Sequence, residues 1–420
     1  MNGPFRRWIY HGLCRSVVLA HRTALRVADW VGPRAGRPPD PSGLHLLLTG
    51  TIHSDNWIRA HLLPLAAARA CRQVTMVTTT RFGQMDRVRA VYPPHWLVRI
   101  VGPVAARGIV FFGLAVREKP DLVGGFHLLV NGLLAQVTAR WIGARSVYFC
   151  VAGADEAADG GCRAENPFFG RMETKDRFVE AHLLRAVAAF DLVITMGTGA
   201  AEYFRRQGIR AYCQVVAGGI DSSQYNVSRE PPRSDIVVVG RLAEIKRLDV
   251  FLEAMALVVR RLPQVTATLV GDGPLRGELE GMVRRLHVDH RVRFAGFHAD
   301  VRLWLAQSRL YVLSSDSEGL PLALMEAMMS GLPVVATDVG DIRDLVKDGV
   351  SGFVVPRRDP ALLAERIVEI LADEARRAEF GRQARVAALP YDVGNTTRMW
   401  ETILARFASP GQPAAPAEGR

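Results

Sequence analysis

The sequence predicts an α/β fold in which two doubly wound, parallel sheets face each other across a cleft. Two observations carry this prediction. From Leu44 onward, short apolar runs alternate with helical patterns, which is typical of parallel strands covered by helices on both faces. The alternation is interrupted by the turn-forming stretch EPPRSD at 230–235 and then resumes, and a chain of 420 residues is long enough for two such domains.

A separate segment, residues 1–43, is expected before the first domain. Residues 5–31 have the pattern of a basic amphipathic helix, and the Gly- and Pro-rich stretch at 34–43 is typical of a linker. Such a helix suits an anionic membrane surface, and a helix packed on the protein body has the same pattern. One face is expected to carry Arg7, His11, Arg15, Arg22 and Arg26, and the other Ile9, Leu13, Val17, Ala20, Ala24 and Val27.

The first Rossmann-like domain is assigned to residues 44–230 and the second to residues 231–395. The predicted strands of the first span 44–50, 74–80, 120–126, 146–153 and 190–197. Those of the second span 235–240, 266–271, 291–296, 309–315, 332–337 and 352–356. A terminal helix is predicted over 396–408, and the Pro- and Ala-rich tail at 409–420 is expected to be disordered. In open parallel sheets, ligands bind outside the carboxyl ends of the strands.

Composition restricts the class of partner. The formal net charge of +11 suits nucleic acid, an anionic membrane or phosphate-bearing substrates. Nucleic acid is excluded because zinc-ligand spacing, aromatic single-strand motifs and long basic runs are all missing from the sequence. The five cysteines form no C-x-x-C pair and are odd in number, which indicates reduced thiols and a cytoplasmic protein.

No segment is expected to cross a bilayer. The most apolar stretch, 96–116, contains Arg99 and Arg107 and is interrupted by glycine and proline. Together with the basic helix it suggests a peripheral position on the inner membrane face and a lipid-linked substrate.

Two glutamates lie in the apolar and small-residue run SSDSEGLPLALMEAMMSGLPVVATDVG at 314–340. The preceding strand ends just before Asp316, so Glu318 is predicted in a loop at the carboxyl end of that strand. Pro321 suits the first position of a helix that carries Glu326 and ends at Gly331. Free N–H groups at Gly319 and Leu320 would then form an anion site. With a phosphate bound at this anion site, Glu326 could bind the two hydroxyl groups of one sugar, and Glu318 could bind a second sugar.

Two cations follow the first strand of the second domain, in VVVGRLAEIKRLDVFLEA at 237–254. Arg241 and Lys246 come after Gly240, at the same sheet edge as the loop that carries Glu318. Lys246 is also one of only four lysines in the chain. Cations in this position could neutralise a leaving diphosphate.

These motifs resemble glycosyltransferase family 4. The resemblance rests on G-R-L-x3-K at 240–246, V-G-D-G-P at 270–274, and E-G-L-P-L-x3-E-A-M-x2-G-x-P-V-V-A-T at 318–337. It covers the second domain and implies a GT-B fold and a metal-independent transfer from a UDP- or GDP-linked sugar, with retention of anomeric configuration and no cofactor. The implied donor-binding residues are Gly240, Arg241, Lys246, Gly271, Gly296, Phe297, Glu318, Gly319, Leu320 and Glu326, of which Arg241, Lys246 and Glu318 are the catalytic ones.

The first domain matches the family less well. Many relatives have a His-Gly pair after the strand equivalent to 146–153, where this chain has Ala152 and Gly153. The acceptor-side candidates are His53, His127, Gly153 and Glu156. In the implied front-face reaction the leaving phosphate takes the acceptor proton, so a protein base is not strictly required. The metal-binding triplet D-x-D of the other main glycosyltransferase fold does not occur in the sequence.

Three other functions fit parts of the sequence. V-G-D-G-P-L-R-G at 270–277 suggests an NAD-dependent oxidoreductase, but it lacks the acidic residue about 20 positions later that would bind the ribose. A GT-B epimerase or phosphorylase and a non-catalytic subunit that binds a nucleotide sugar also remain open. The identity of the acceptor, apart from its hydroxyl group, is not indicated by the sequence.

Overall fold

The computed structural model describes residues 3–33, 40–51, 54–164, 166, 168–225 and 232–408. The chain forms two compact units. The first unit contains Met1–Gly219 and Gly394–Arg420, and the second unit contains Ile220–Val393. The predicted boundary between 230 and 231 and the predicted disordered tail at 409–420 lie outside the described residues.

The first unit is a seven-stranded sheet with the strand order β3-β2-β1-β4-β5-β6-β7. Every neighbouring pair of strands is parallel, as predicted. The elements are α1 (Gly3–Val31), β1 (Leu44–Thr49), α2 (Asp55–Ala67), β2 (Cys71–Val77), β3 (Val88–Val91), α3 (His95–Glu118), β4 (Leu122–Phe126), α4 (Leu133–Ile142), β5 (Arg145–Cys150), α5 (Arg177–Ala188), β6 (Leu192–Thr195), α6 (Thr198–Arg206) and β7 (Cys213–Val215).

The second unit is a six-stranded parallel sheet with the order β10-β9-β8-β11-β12-β13. All six predicted strands of this unit are present. The elements are β8 (Ser234–Val239), α7 (Leu248–Arg261), β9 (Ala267–Val270), α8 (Arg276–Arg285), β10 (Val292–Gly296), α9 (Arg302–Ala306), β11 (Ser308–Leu313), α10 (Leu322–Met329), β12 (Val334–Thr337), α11 (Ile342–Leu345), β13 (Gly352–Val355), α12 (Pro360–Ala372) and α13 (Glu374–Ala388).

After the second unit the chain returns to the first with α14 (Val393–Ala408), whose Trp400 contacts Phe149 of β5 at 6.0 Å between ring centroids. The two ends of the second unit are hydrogen-bonded to each other. The Val393 N–H donates to the Ile220 carbonyl at 2.9 Å, and the Ile220 N–H donates to the Tyr391 carbonyl at 3.0 Å. The second unit is therefore an insertion into the first, and its entry and exit lie side by side.

Each sheet reverses its strand order once. The reversal lies between β1 and β4 in the first unit and between β8 and β11 in the second. At such a point the loops after the two strands diverge and leave a crevice at the carboxyl ends, which is where doubly wound folds bind ligands. The crevice of the second unit is the place where the sequence puts Arg241, Lys246 and Glu318.

The core of the second unit lies between the sheet and the helices α7 and α12. Phe251 and Met255 of α7 and Ile367 of α12 are fully buried against Leu310 and Val312 of β11. Burial of a side chain of this size contributes about 1.5–3 kcal/mol. This core fixes β8 and β11, and the loops that follow them start from rigid positions.

Two strands of the first unit, β3 and β7, were not predicted. They have four and three residues, lie at the two edges of the sheet and are only partly buried. An edge strand needs apolar residues on fewer sides than a central one, so no continuous apolar run marks it in the sequence.

The predicted apolar face of α1 was wrong by about one residue. Cys14, Val18, His21 and Ala28 are the buried residues, whereas Leu13 and Val27 of the predicted apolar face are exposed. The buried positions follow the predicted apolar ones by about one residue, a rotation of about 100° around the helix axis. This rotation brings His11 and Arg15 to the buried Asp176 at 2.8 and 2.9 Å. The helix thus packs on the first unit partly through the side chains predicted to face outward.

The most apolar stretch also differs from the prediction. Gly102 has non-helical backbone angles, φ 80° and ψ 163°, and kinks α3 just before Pro103, where the sequence predicts an interruption. A second helical segment follows the kink and runs to Glu118. As a 24-residue helix, α3 is long and apolar enough to cross a membrane by length and composition alone.

Candidate functional site

The loop between β11 and α10 holds the main candidate site, and three hydrogen bonds fix its first residues. The Ser314 hydroxyl donates to the Lys246 carbonyl at 2.9 Å, and the Asp316 N–H donates to the Ile245 carbonyl at 2.8 Å. The Thr337 hydroxyl donates to the Ser315 carbonyl at 2.7 Å. The loops after β8, β11 and β12 are therefore tied together at one edge of the sheet.

Lys246 and Glu318 form an ion pair at this edge. Lys246 Nζ donates to Glu318 Oε1 at 2.6 Å, and the Ser315 hydroxyl donates to the same oxygen at 2.6 Å. The two side chains are 24% and 11% exposed, so the pair is shielded from solvent and still reachable by a ligand. Lys246 has three N–H donors and uses one for Glu318 in this pair. The structure thus brings together two of the three predicted catalytic residues.

Gly240 and Arg241 line a small cavity beside this pair, together with Lys246, Ser314 and Ser315. Arg241 is exposed at its surface. A Cβ atom on Gly240 would lie 3.6 Å from Lys246 Cε, so the glycine packs directly under the lysine stem. The third predicted catalytic residue, Arg241, is therefore at the same edge as the other two.

Gly271 and Gly296 are also adjacent. The Gly271 N–H donates to the Gly296 carbonyl at 2.8 Å, where β9 and β10 end. Gly271 has φ 145°, and a Cβ atom on it would lie 1.9 Å from the Gly240 carbonyl oxygen, so no side chain fits. Phe297, the next residue after Gly296, is 67% exposed. An aromatic ring in this position is available to contact a planar ligand.

The start of α10 offers backbone N–H donors. Among the described residues, the N–H groups of Gly319 and Leu320 have no hydrogen-bond acceptor. They precede an eight-residue helix whose dipole adds positive potential at the same place. Gly340 supports this turn, because a Cβ atom on it would lie 1.8 Å from the Glu318 carbonyl oxygen.

Glu326 lies on α10 and is 7% exposed. Its Oε1 accepts a hydrogen bond from the Tyr225 hydroxyl at 2.8 Å. Burial raises the pKa of Glu326 to about 7, and the bond from Tyr225 only partly offsets that effect. This carboxyl group therefore changes charge near neutral pH.

Sequence reasoning missed three residues that hold this site in place. Tyr225 contacts Glu326 across 101 residues of sequence, a distance at which no local pattern could have revealed the contact. Arg358 and Arg247 both pair with Asp316, at 2.6 and 3.5 Å, and anchor the loop between β11 and α10. The excess of arginine in the composition was the only available signal, and it does not single out these two.

In the first unit, His127 and Glu156 form one cluster. His127 Nδ1 lies 3.2 Å from Glu156 Oε1, and His127 follows β4, one of the two strands at the reversal point. Glu156 is 2% exposed and accepts hydrogen bonds from the N–H groups of Leu128, Val151 and Ala152 and from the Tyr148 hydroxyl. Burial raises its pKa, but the charge of His127 and these hydrogen bonds outweigh burial and lower it. Glu156 is thus an ionised carboxylate that orients the ring of His127.

The other two candidates in the first unit do not join this cluster as side chains. Gly153 is buried, has φ 74° and accepts a hydrogen bond from Cys150 Sγ through its carbonyl. His53 lies outside the described residues.

Arg107, which was not predicted as a site residue, is 4% exposed. Its guanidinium donates to Asn131 Oδ1 at 2.6 Å and to the Thr51 hydroxyl at 3.2 Å, and burial lowers its pKa. Both oxygens are neutral. The two contacts tie the middle of α3 to the loops that follow β1 and β4.

Within the described ranges, no group of three or more His, Cys, Asp and Glu side chains is placed to hold a metal ion.

The second unit is similar in sequence to a known family. Residues 233–373 match the sequence model of the family "Glycosyl transferases group 1". The predicted resemblance to a glycosyltransferase family is thereby confirmed at the level of this group. The match covers the loops that carry Arg241, Lys246 and Glu318, and the helix α10 that carries Glu326.

Curated relatives are similar over the same part of the chain. The N-acetyl-alpha-D-glucosaminyl L-malate synthase of Bacillus anthracis is 31% identical over 150 residues, which are 36% of this chain and 39% of that protein. The lipopolysaccharide core biosynthesis glycosyltransferase LpsE of Rhizobium meliloti is 34% identical over 176 residues, 41% of this chain and 49% of that protein. The similarity thus spans less than half the length of either relative.

Solved structures resemble nearly the whole chain. Anabaena Alr3699/HepE in complex with UDP superimposes with a TM-score of 0.66 at 21% identity, over 86% of this chain and 100% of that one. WaaG, a glycosyltransferase involved in lipopolysaccharide biosynthesis, gives a TM-score of 0.65 at 19% identity, over 86% and 99%. At these identities the likeness shows the fold alone, and the predicted GT-B fold is confirmed.

Proposed function

We propose that this chain, whose residues 233–373 match the family model of the group 1 glycosyl transferases, transfers a sugar from a nucleoside-diphosphate sugar to a hydroxyl acceptor. The observation that carries the proposal is the ion pair of Lys246 and Glu318 at 2.6 Å, beside the N–H groups of Gly319 and Leu320. The cation and the N–H groups suit the diphosphate. The carboxylate suits the hydroxyl groups of the sugar.

The proposed reaction is a front-face substitution that retains the anomeric configuration, as in glycosyltransferase family 4. The bond between the sugar and the diphosphate breaks, and the acceptor oxygen bonds to the same face of the anomeric carbon. Arg241, Lys246 and the start of α10 stabilise the negative charge of the departing diphosphate. The leaving phosphate oxygen takes the proton of the acceptor hydroxyl, so the proposed reaction needs neither a protein base nor a metal ion.

A UDP-linked sugar is the proposed donor. HepE was crystallised with UDP and with UDP-glucose, and the GT-B likeness is the support for carrying this donor over. In the proposed complex Glu326 accepts hydrogen bonds from the ribose diol, with Tyr225 fixing the carboxyl group. Gly271, Gly296 and the exposed ring of Phe297 frame the base.

The proposed acceptor is a hydroxyl group of a polysaccharide or another glycoconjugate, including a lipid-linked one. The names of three relatives support this class: the lipopolysaccharide core biosynthesis glycosyltransferase LpsE, the amylovoran biosynthesis glycosyltransferase AmsK and a poly(glycerol-phosphate) alpha-glucosyltransferase. In the first unit, His127 is proposed to hold the acceptor hydroxyl. Its ring is 33% exposed as a side chain and is oriented by Glu156.

Release of UDP from a UDP-sugar with a saccharide acceptor tests the proposal. Lys246→Met should lower turnover about 100-fold or more, the usual cost of losing one group that stabilises a developing anion. Lys347→Met is the matched control and should retain wild-type turnover. Lys347 is an exposed lysine of the same unit, and its ammonium group donates to the Arg343 carbonyl. Equal turnover in both variants would contradict the assignment of Lys246.

Two other functions have distinct outcomes in the same assay. A non-catalytic subunit would bind the UDP-sugar and release no UDP. An epimerase would return the nucleotide sugar with an altered sugar and consume no acceptor. Transfer of a radiolabelled sugar to the acceptor, with UDP released in equal amount, is the result expected for the transferase.

A further inference from the structure

The first half of α3 presents large apolar side chains to solvent. Trp96 is 63% exposed and Ile100 is 73% exposed, and the spacing of four residues puts them on one face of the helix. We call this region the α3 apolar surface, defined by Tyr92, Trp96, Ile100, Val101 and Val104. In a soluble protein, a contiguous patch of this kind marks a binding surface.

The second half of the same helix anchors it to the fold. Phe111 and Ala115 are fully buried in a cluster with Leu47 of β1 and Val123 of β4. The buried residues of α3 all lie in this second half, so the apolar side chains of the first half do not serve this core. The bend at Gly102 separates the anchored half from the exposed half.

The charged side chain next to the α3 apolar surface is basic. Residues 92–105 contain Arg99 and no acidic residue. Arg99 is exposed and, among the described residues, has no carboxylate partner. An apolar surface with a basic rim is complementary to anionic lipid headgroups over an acyl interior.

The contacts of α3 with the rest of the first unit suit a helix that lies in the membrane interface, and they oppose one that crosses the bilayer. A spanning helix would have to expose Arg107 to lipid and break its contacts with Thr51 and Asn131. The exposed half, His95–Val101, is about 10 Å long at 1.5 Å per residue, which is comparable to the depth of the interfacial region.

We propose that the α3 apolar surface binds an anionic lipid bilayer, with Trp96 and Ile100 in the interface and Arg99 among the headgroups. The inference does not depend on the proposed transferase activity. The proposed membrane contact is α3 and not α1, because the buried face of α1 and two of its basic side chains pack against the rest of the first unit.

Flotation of the full chain with vesicles of phosphatidylglycerol, and separately of phosphatidylcholine, tests the proposal. The wild type should float with phosphatidylglycerol, and a W96S/I100S double variant should lose at least about tenfold in partitioning. An L303S/V386S double variant removes two exposed apolar side chains of the second unit and should float like the wild type, since Leu303 is 61% and Val386 53% exposed. Thermal midpoints of all three proteins, measured without vesicles, verify that the substitutions leave the fold intact.

Three results would overturn the proposal. Undiminished flotation of W96S/I100S would show that α3 is not the contact. Loss of flotation in a W8S/W30S variant with W96S/I100S unaffected would move the contact to α1, where both tryptophans are exposed. Retention of the protein in vesicles after alkaline carbonate extraction would indicate insertion across the bilayer.

Discussion

Glu326 shows what burial does to a single carboxyl group. Its pKa rises from 4.5 to about 7 because the ionised form loses most of its solvent, and the Tyr225 hydroxyl is the one hydrogen-bond donor to its side chain given by the structure. An acid whose pKa is raised on folding binds its proton more tightly in the folded than in the unfolded state. The folded state therefore loses stability as the pH rises from 4.5 to about 7.

We therefore expect the unfolding free energy to fall by about 3 kcal/mol as the pH rises from 4.5 to 7, because this is the free energy that corresponds to the pKa shift of Glu326. Glu326→Gln should flatten this part of the pH profile, because glutamine does not titrate and can still accept from Tyr225. Urea denaturation at several pH values measures the effect. Glu253→Gln, at an exposed position of α7, should leave the slope unchanged, and an unchanged slope in Glu326→Gln would contradict the shifted pKa.

The residues of the candidate site were predictable to different degrees. Lys246 and Glu318 could be placed together from sequence because each follows the carboxyl end of a strand, and such ends meet at one edge of a parallel sheet. Tyr225 and Arg358 could not, because their partners Glu326 and Asp316 are 101 and 42 residues away. His127 and Glu156 were each recognised as candidates, but only the fold shows that they contact each other.

At the scale of the element, the loop between β11 and α10 depends on close backbone packing. Gly340 has φ 52° and would place a Cβ atom 1.8 Å from the Glu318 carbonyl oxygen. Since that atom is backbone, a rotamer change cannot relieve the clash. The loop that presents Glu318 and the free N–H groups is thus shaped by a residue more than 20 positions later in the chain.

Gly340→Ala should therefore lower the unfolding free energy by about 2–4 kcal/mol, since overpacking adds to the cost of a left-handed non-glycine residue. Gly349→Ala is the control. Gly349 has a similar φ of 72° and no neighbour within 4 Å, so alanine there should cost only about 1–2 kcal/mol. Chemical denaturation measures both, and equal costs would show that the contact with Glu318 does not constrain the loop.

Elements were predicted best where a short apolar run lies between turn residues. All six strands of the second unit were located in this way, including the partly buried edge strands β10 and β13, whereas the edge strands β3 and β7 of the first unit were missed. The faces of α1 were assigned wrongly because apolar periodicity alone does not reveal Asp176, the buried carboxylate that receives His11 and Arg15. The continuation of α3 past Pro103 likewise depends on the backbone angle that Gly102 adopts.

At the scale of the whole molecule, every proposed donor contact lies in the second unit. The proposed acceptor contact, His127, lies in the first.

Binding of UDP should therefore slow hydrogen exchange in peptides covering 240–247 and 314–330, and leave hydrogen exchange in the sheet of the first unit unchanged. At a UDP concentration of 100 times the Kd the whole chain should gain about 2.7 kcal/mol of stability. Hydrogen exchange is measured by mass spectrometry with and without UDP. Lys246→Met is the control variant and should lose the protection that UDP gives the wild type. Protection concentrated in the first unit would contradict the donor assignment.

The hydrogen bonds that join Ile220 to Tyr391 and Val393 have a practical consequence for dissecting this protein. Because entry and exit of the inserted unit are neighbours, a gene fragment for 220–393 encodes one uninterrupted polypeptide whose ends need no bridging. The surrounding unit, in contrast, arises from two separated coding stretches. A conventional truncation after residue 219 would discard the segment that supplies Trp400, so a faithful excision must splice Gly219 to Gly394 through a short loop.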